Sequence, residues 1–151
     1  MYHFRLGKTA LITGASSDIG YELAKWFAAV GANLVLVARG QAHLNQIAPK
    51  LESAFKASAK VIAADLSRPV APGEIYRETG PVSWTRYLVN NAGFGASGAF
   101  VETELQTELD MMRVNLVSLV YLTKLYLAGM RSRGSGGILN VASSALSSPP
   151  C

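Results

Sequence analysis

The sequence predicts an α/β protein built on an open, doubly wound parallel sheet of about five strands, and three observations carry that expectation. Short, continuously apolar segments alternate with longer segments whose apolar residues recur every three or four positions. The short segments show no in-out alternation, as expected of strands covered on both faces. Three of them end at the turn residues Gly14, Asp65 and Asn90.

Taken in order, Thr9, Ala10, Leu11, Ile12 and Thr13 form a first buried strand ended by Gly14. Ile19, Leu23, Phe27 and Val30 then mark one face of a helix that Gly31 stops. Residues 33–37 read as a second strand, and Leu44, Ile47, Leu51 and Phe55 as the apolar face of a second helix. Pro49 lies inside that helix and, lacking an N–H, is expected to kink or split it. Residues 61–64 are a third strand. Residues 67–84 carry Pro69, Pro72, Gly73, Gly80 and Pro81, so only a short helix is expected there, near 74–78. Residues 87–89 are a fourth strand, followed by a permissive loop at Gly93, Gly95 and Gly98. Thr103 and Gln106 have the spacing of a capping box. The helix that follows runs to about Arg131, is apolar nearly all round, and should be buried on more than one side, with a break near Asp110. Residues 136–142 are a fifth strand. Right-handed crossovers between such strands leave a Rossmann-like topology.

Composition narrows the function classes. A length of 151 residues fits one domain, here residues 1–151. Half the residues are hydrophobic and 16% charged, which excludes a disordered chain. Lys124 interrupts the longest apolar run, so no membrane span is expected. The single cysteine, Cys151, and a start without a signal-peptide pattern fit a cytoplasmic protein. The net charge of +4 is scattered rather than clustered, which argues for a small anionic ligand and against nucleic acid. His3 and His43 have no partners at metal-ligand spacing, so no metal site is expected. No Gly-x-Ser-x-Gly elbow is present, which removes the usual signature of a serine hydrolase. Trp26, Phe27, Met111 and Met112 read most simply as packing residues.

The chemistry concentrates at strand ends. After the first strand, Gly14, Ser16, Ser17, Asp18, Ile19 and Gly20 form a glycine-containing turn that opens a helix. Such a turn gathers backbone N–H groups and the positive end of a helix dipole around one point, a phosphate site. The second strand ends at Ala38 and Arg39. A carboxylate there would accept from a ribose 2′-hydroxyl, whereas an arginine pairs with a 2′-phosphate, so NADP(H) is expected over NAD(H).

These motifs together resemble the classical short-chain dehydrogenases/reductases over essentially the whole chain. Thr13, Gly14 and Gly20 match the family's Thr-Gly-x-x-x-Gly-x-Gly, with Asp18 in place of the middle glycine, and Asn90, Asn91, Ala92 and Gly93 match its second motif intact. Asn115 falls where the family carries its catalytic asparagine, and Ser143 where it carries its catalytic serine. The resemblance implies that Asp65 and Leu66 flank the adenine and that Asn91, Ala92 and Gly93 line the adenosine half. It also implies that Ser143 hydrogen-bonds the oxygen of a small carbonyl or alcohol substrate, that Asn115 supports the proton relay, and that the helix around Asn115 pairs homo-oligomers.

Two departures qualify the expectation. A carboxylate at Asp18 about 5 Å from a pyrophosphate would cost roughly 3 kcal/mol per charge pair at an effective dielectric near 20, unless it caps the helix and points away. The family's Tyr-x-x-x-Lys falls at a spacing beyond Cys151, and the tail from Leu146 leaves the family's pattern. One codon choice for residues 145–151 reads in a shifted frame as Ala-Phe-Lys-Pro-Ala-Leu, so a frameshift is one expected origin of that tail. A C-terminally truncated chain would lose the general-acid factor of about 10² to 10⁴. The expectation is an NADP(H)-dependent oxidoreductase impaired in this chain, with a non-catalytic nucleotide-binding remnant or partner-binding module as the alternative.

Overall fold

The computed structural model describes residues 8–80 and 85–142. Its elements are β1 (Thr9–Thr13), α1 (Asp18–Ala29), β2 (Asn33–Ala38), α2 (Gln41–Phe55), β3 (Ala59–Ala63), α3 (Ala71–Thr79), β4 (Thr85–Asn90), α4 (Leu105–Met112), α5 (Ser118–Ser132) and β5 (Gly137–Asn140). A 3₁₀ turn, Phe100–Glu102, precedes α4, and a π-helical turn, Arg113–Val117, joins α4 to α5. The strands lie in the order β3-β2-β1-β4-β5, and every pairing is parallel. The expected doubly wound sheet is therefore present. Chain order reverses direction between β1 and β4, which opens a crevice beyond their carboxyl ends.

The absence of in-out alternation has the expected cause. Ala10, Ile12, Leu34 and Leu36 face one layer, with Ala24, Phe27 and Ala28 of α1 and Leu44, Ile47 and Leu51 of α2. Leu11, Val35, Val37 and Leu88 face the other, with Ile75 of α3 and Leu122, Tyr126 and Met130 of α5. Adjacent strand residues are both buried because helices cover both sides of the sheet.

Several local expectations are corrected. The buried face of α1 is Gly20, Ala24, Phe27 and Ala28, while Ile19 is 58% exposed. Gly20, Ala24 and Ala28 let this helix lie close to the strands, and of the four residues expected on its inner face only Phe27 is buried. Helix α2 runs through Pro49 undivided. Pro49 sits on the exposed face, so water can serve the carbonyl that lacks its N–H donor. The capping box does not form. Glu104 occupies the N-cap without a side-chain bond, and Thr103 Oγ1 donates instead to the Phe100 carbonyl (2.9 Å) and the Glu108 carboxylate (2.8 Å). No break occurs at Asp110; the irregularity is the π turn that starts at Arg113. Only Ser118, Leu122, Tyr126 and Met130 of α5 are buried, and Leu116, Val117, Val120, Tyr121 and Leu127 are exposed.

Tyr126 offers a test of the packing between α3 and α5. Its hydroxyl lies 2.6 Å from Thr79 Oγ1, its ring meets Tyr76 edge-on at 5.2 Å, and burial pushes its pKa up to about 12. The fold thus holds the neutral phenol. Its contribution is complete below the unfolded pKa near 10 and is lost as pH rises towards 12, an extra destabilisation of about 2–3 kcal/mol. Tyr126→Phe cannot ionise, so the stability gap between wild type and variant in urea titrations should move in the variant's favour by this amount between pH 9 and pH 12. A gap that stays constant would contradict the buried hydrogen-bonded phenol.

Candidate functional site

The turn after β1 is shaped by contacts that leave no room for side chains. Gly14 has φ +64°, and a Cβ there would lie 2.8 Å from the Ala92 Cα. A Cβ on Gly20 would collide with the Gly14 carbonyl oxygen and lie 2.7 Å from Asn91 Nδ2. Ser17, not Asp18, is the N-cap of α1. Its Oγ accepts from the Gly20 N–H (3.1 Å) and donates to the Gly14 carbonyl (2.8 Å). Asp18 is the exposed first residue of the helix, where water and the helix dipole both moderate its charge.

The motif at the end of β4 is fastened to this turn. Thr13 Oγ1 accepts from the backbone N–H groups of Asn91 and Ala92 at 3.0 Å each, and it donates to the Val89 carbonyl at 3.3 Å. Asn91 Nδ2 is shared among the Thr13 carbonyl (3.0 Å), the Gly14 carbonyl (3.1 Å) and Ser17 Oγ (3.2 Å). The two sequence motifs form one hydrogen-bonded unit across the switch point. The Asn91 side-chain amide holds the glycine turn, and Ala92 and Gly93 beside it line the cleft.

That cleft has a volume of about 290 Å³. Gly14, Ser16 and Ser17 line it from the first turn, Ala38 and Arg39 from the end of β2, and Asp65, Leu66 and Ser67 from the loop after β3. Phe94, Asp110 and Val114 close the β4 side. Asp65 Oδ1 accepts from both the N–H (3.0 Å) and the hydroxyl (2.8 Å) of Ser67, an Asx-type turn that fixes the loop. The Ser67 N–H first, then its hydroxyl, hold the Asp65 carboxyl below its usual range, and the charges of Arg39 and Arg68 add to this.

Asn115 lies in the π turn, with both ends of its carboxamide on the backbone of Phe94. Its Oδ1 accepts from the Phe94 N–H at 3.1 Å, and its Nδ2 donates to the Phe94 carbonyl at 2.9 Å. A π turn inserted in an α-helix is a device found often at functional sites. Ser143 lies outside the described residues. Phe94, Asp110, Val114 and Ser67 were not legible as site residues. An Asp-x-Ser pattern after a strand could have pointed to Ser67, but an apolar Val114 in an apolar helix gives no signal.

Fold and cleft together define a Rossmann-type nucleotide-binding domain. The chain belongs to the short-chain dehydrogenase family, whose family model matches residues 8–150. It is 36% identical over 141 residues to galactitol 2-dehydrogenase (L-tagatose-forming) of Cereibacter sphaeroides, covering 93% of this chain and 54% of that protein. It is 34% identical over 143 residues to very-long-chain 3-oxoacyl-CoA reductase-A of Danio rerio, covering 92% and 44%. Among solved structures, a short-chain dehydrogenase from Sphingobium yanoikuyae in complex with NADPH superposes with a TM-score of 0.86 at 33% identity, covering 91% of this chain and 54% of that one. The chain thus spans about half the length of the relatives it matches. Among the described residues, no helix is long and apolar enough to cross a membrane.

Proposed function

We propose that the chain is the nucleotide-binding part of an oxidoreductase that uses NADP(H) to interconvert a carbonyl and an alcohol. The observation that carries this reading is the cleft itself. A glycine turn that tolerates no Cβ is locked to Asn91 at one end, and at the other the end of β2 carries Ala38 and an exposed Arg39 rather than an acid. Those residues fit a dinucleotide. The turn after β1 presents N–H groups to a diphosphate, Arg39 reaches a 2′-phosphate, and Asp65 and Leu66 flank a base. When bound, the nicotinamide group supplies or accepts hydride. The protein's part is to orient it, with Ala92 and Gly93 along the adenosine half. In this reading Ser143 polarises the substrate oxygen, and Asn115, which also holds the Phe94 backbone, supports proton transfer. The names of the relatives, a dehydrogenase and a reductase, and the NADPH complex support the same reading.

Titration of the chain with NADPH and with NADH tests it. Wild type should bind NADPH more tightly, and Arg39→Ala should weaken NADPH by about 10- to 100-fold, as loss of a charge-assisted phosphate contact implies, with NADH unchanged. Equal losses for both nucleotides would remove Arg39 as the selector. NADPH oxidation in the presence of carbonyl compounds then separates an active enzyme from a chain that only holds nucleotide. The apolar face of Leu116, Val117, Val120, Tyr121 and Leu127 supports the further reading that two copies pair through this helix, which light scattering during size exclusion would register as a doubled mass.

A further inference from the structure

We infer that Ser118 is a positioning residue for the adenosine side of the cleft, and that the π turn Arg113–Val117 together with Ser118 braces both walls of the cleft against each other. The inference rests on the nucleotide reading above.

Ser118 is 3% exposed, and its Oγ donates to the Leu66 carbonyl at 2.7 Å. A serine within a helix commonly bonds a carbonyl of its own preceding turn. Here it crosses to the loop after β3 that carries Asp65, Leu66 and Ser67 into the cleft. Three residues earlier, Asn115 holds Phe94, on the opposite wall, by both its N–H and its carbonyl. Val114, from the same turn, lines the cleft between them. One short segment therefore supplies part of the lining and fastens both sides.

The π geometry explains how one segment reaches two loops. The Ser118 N–H bonds the Arg113 carbonyl five residues back, so the turn holds one residue more than an α-turn. In an α-helix, residues three apart point about 60° from each other. The wider turn rotates less per residue, which spreads Asn115 and Ser118 further apart and aims them at different loops. The Asx turn at Asp65 already fixes the shape of its loop, and Ser118 fixes where that shape sits relative to α5. A base entering this wall meets groups already in place, so less ordering remains to be done on binding.

The experiment uses the 151-residue chain, with NADPH and adenosine 2′,5′-bisphosphate as ligands and thermal unfolding recorded for every variant. Binding of both by wild type upholds the nucleotide reading; binding of neither overturns that reading and this one with it. Ser118→Ala should weaken both ligands by the same factor, about 10-fold, because the loss falls on the adenosine half they share. Ser118→Thr keeps the hydroxyl and should return affinity to within about 3-fold of wild type. Tyr126→Phe, on the same helix but away from the cleft, controls for general loosening and should lower the unfolding temperature without changing affinity. Unchanged affinity in Ser118→Ala, no rescue by threonine, or an equal loss in Tyr126→Phe would each overturn the inference. Should Ser118→Ala fail to fold, amide hydrogen exchange of wild type decides. Adenosine 2′,5′-bisphosphate should protect residues 113–119 together with residues 66–68, and protection confined to 66–68 would overturn the brace.

Discussion

Gly20→Ala is expected to lower NADPH affinity by at least about 100-fold and to destabilise the chain by about 2–4 kcal/mol. Helix propensity alone argues the other way, because alanine gains about 1 kcal/mol over glycine inside a helix. Packing reverses that sign. The new methyl would overlap the Gly14 carbonyl oxygen and crowd Asn91 Nδ2, and both groups are held by further hydrogen bonds. A backbone carbonyl cannot swing aside as a flexible side chain can, so the turn must open. Overpacking of this kind costs about 1–3 kcal/mol, and weakening of the Asn91 bonds adds to it. Opening the turn also moves the N–H groups that would meet a diphosphate. Urea unfolding and NADPH titration read the two effects separately. A variant as stable as wild type with unchanged affinity would show that the tight turn is not the cradle described here.

Thr13→Val should cost about 2–5 kcal/mol, although the two side chains have nearly the same shape and both suit a strand. Thr13 is 1% exposed, and its hydroxyl accepts two backbone N–H groups, those of Asn91 and Ala92. Valine would leave both donors without a partner in a largely buried place, at about 1–3 kcal/mol each. Thr13→Ser retains the oxygen and should lose about 1 kcal/mol at most, through the missing methyl. Amide exchange gives the finer reading. The Asn91 and Ala92 amides should exchange much faster in the valine variant than in the serine variant, and similar rates in the two would remove the hydroxyl as the clasp between β1 and β4.

Both predictions concern a junction whose parts were visible in the sequence but whose connection was not. Thr13, Gly14, Gly20 and Asn91 could each be marked as motif residues. Nothing in one dimension says that the Asn91 amide closes the glycine turn, because the partners lie 77 and 78 positions apart in the chain. Local expectations failed for related reasons. Thr103 and Gln106 have capping-box spacing, yet Thr103 is drawn to the Phe100 carbonyl and Glu108. The long helix, apolar nearly all round, is expected to be buried on more than one side, but its outer stripe is uncovered among the described residues. Periodicity reports which faces are apolar and not which of them are packed against something.

The sequence by itself determined the alternation of strands and helices, the parallel sheet and the strand-end positions of Gly14, Arg39, Asp65 and Asn91. Those follow from local hydrophobic pattern and from the rule that right-handed crossovers place such ends on one side of the sheet. The tertiary structure decided the rest. It made Ser17 rather than Asp18 the cap of α1, carried α2 through Pro49, and turned the expected break near Asp110 into a π turn at Arg113–Val117. It also brought Ser118 to Leu66 and Asn115 to Phe94. Each of these outcomes is a choice among hydrogen-bond partners that are remote in sequence, and only the packed sheet with its two helical layers brings those partners within reach.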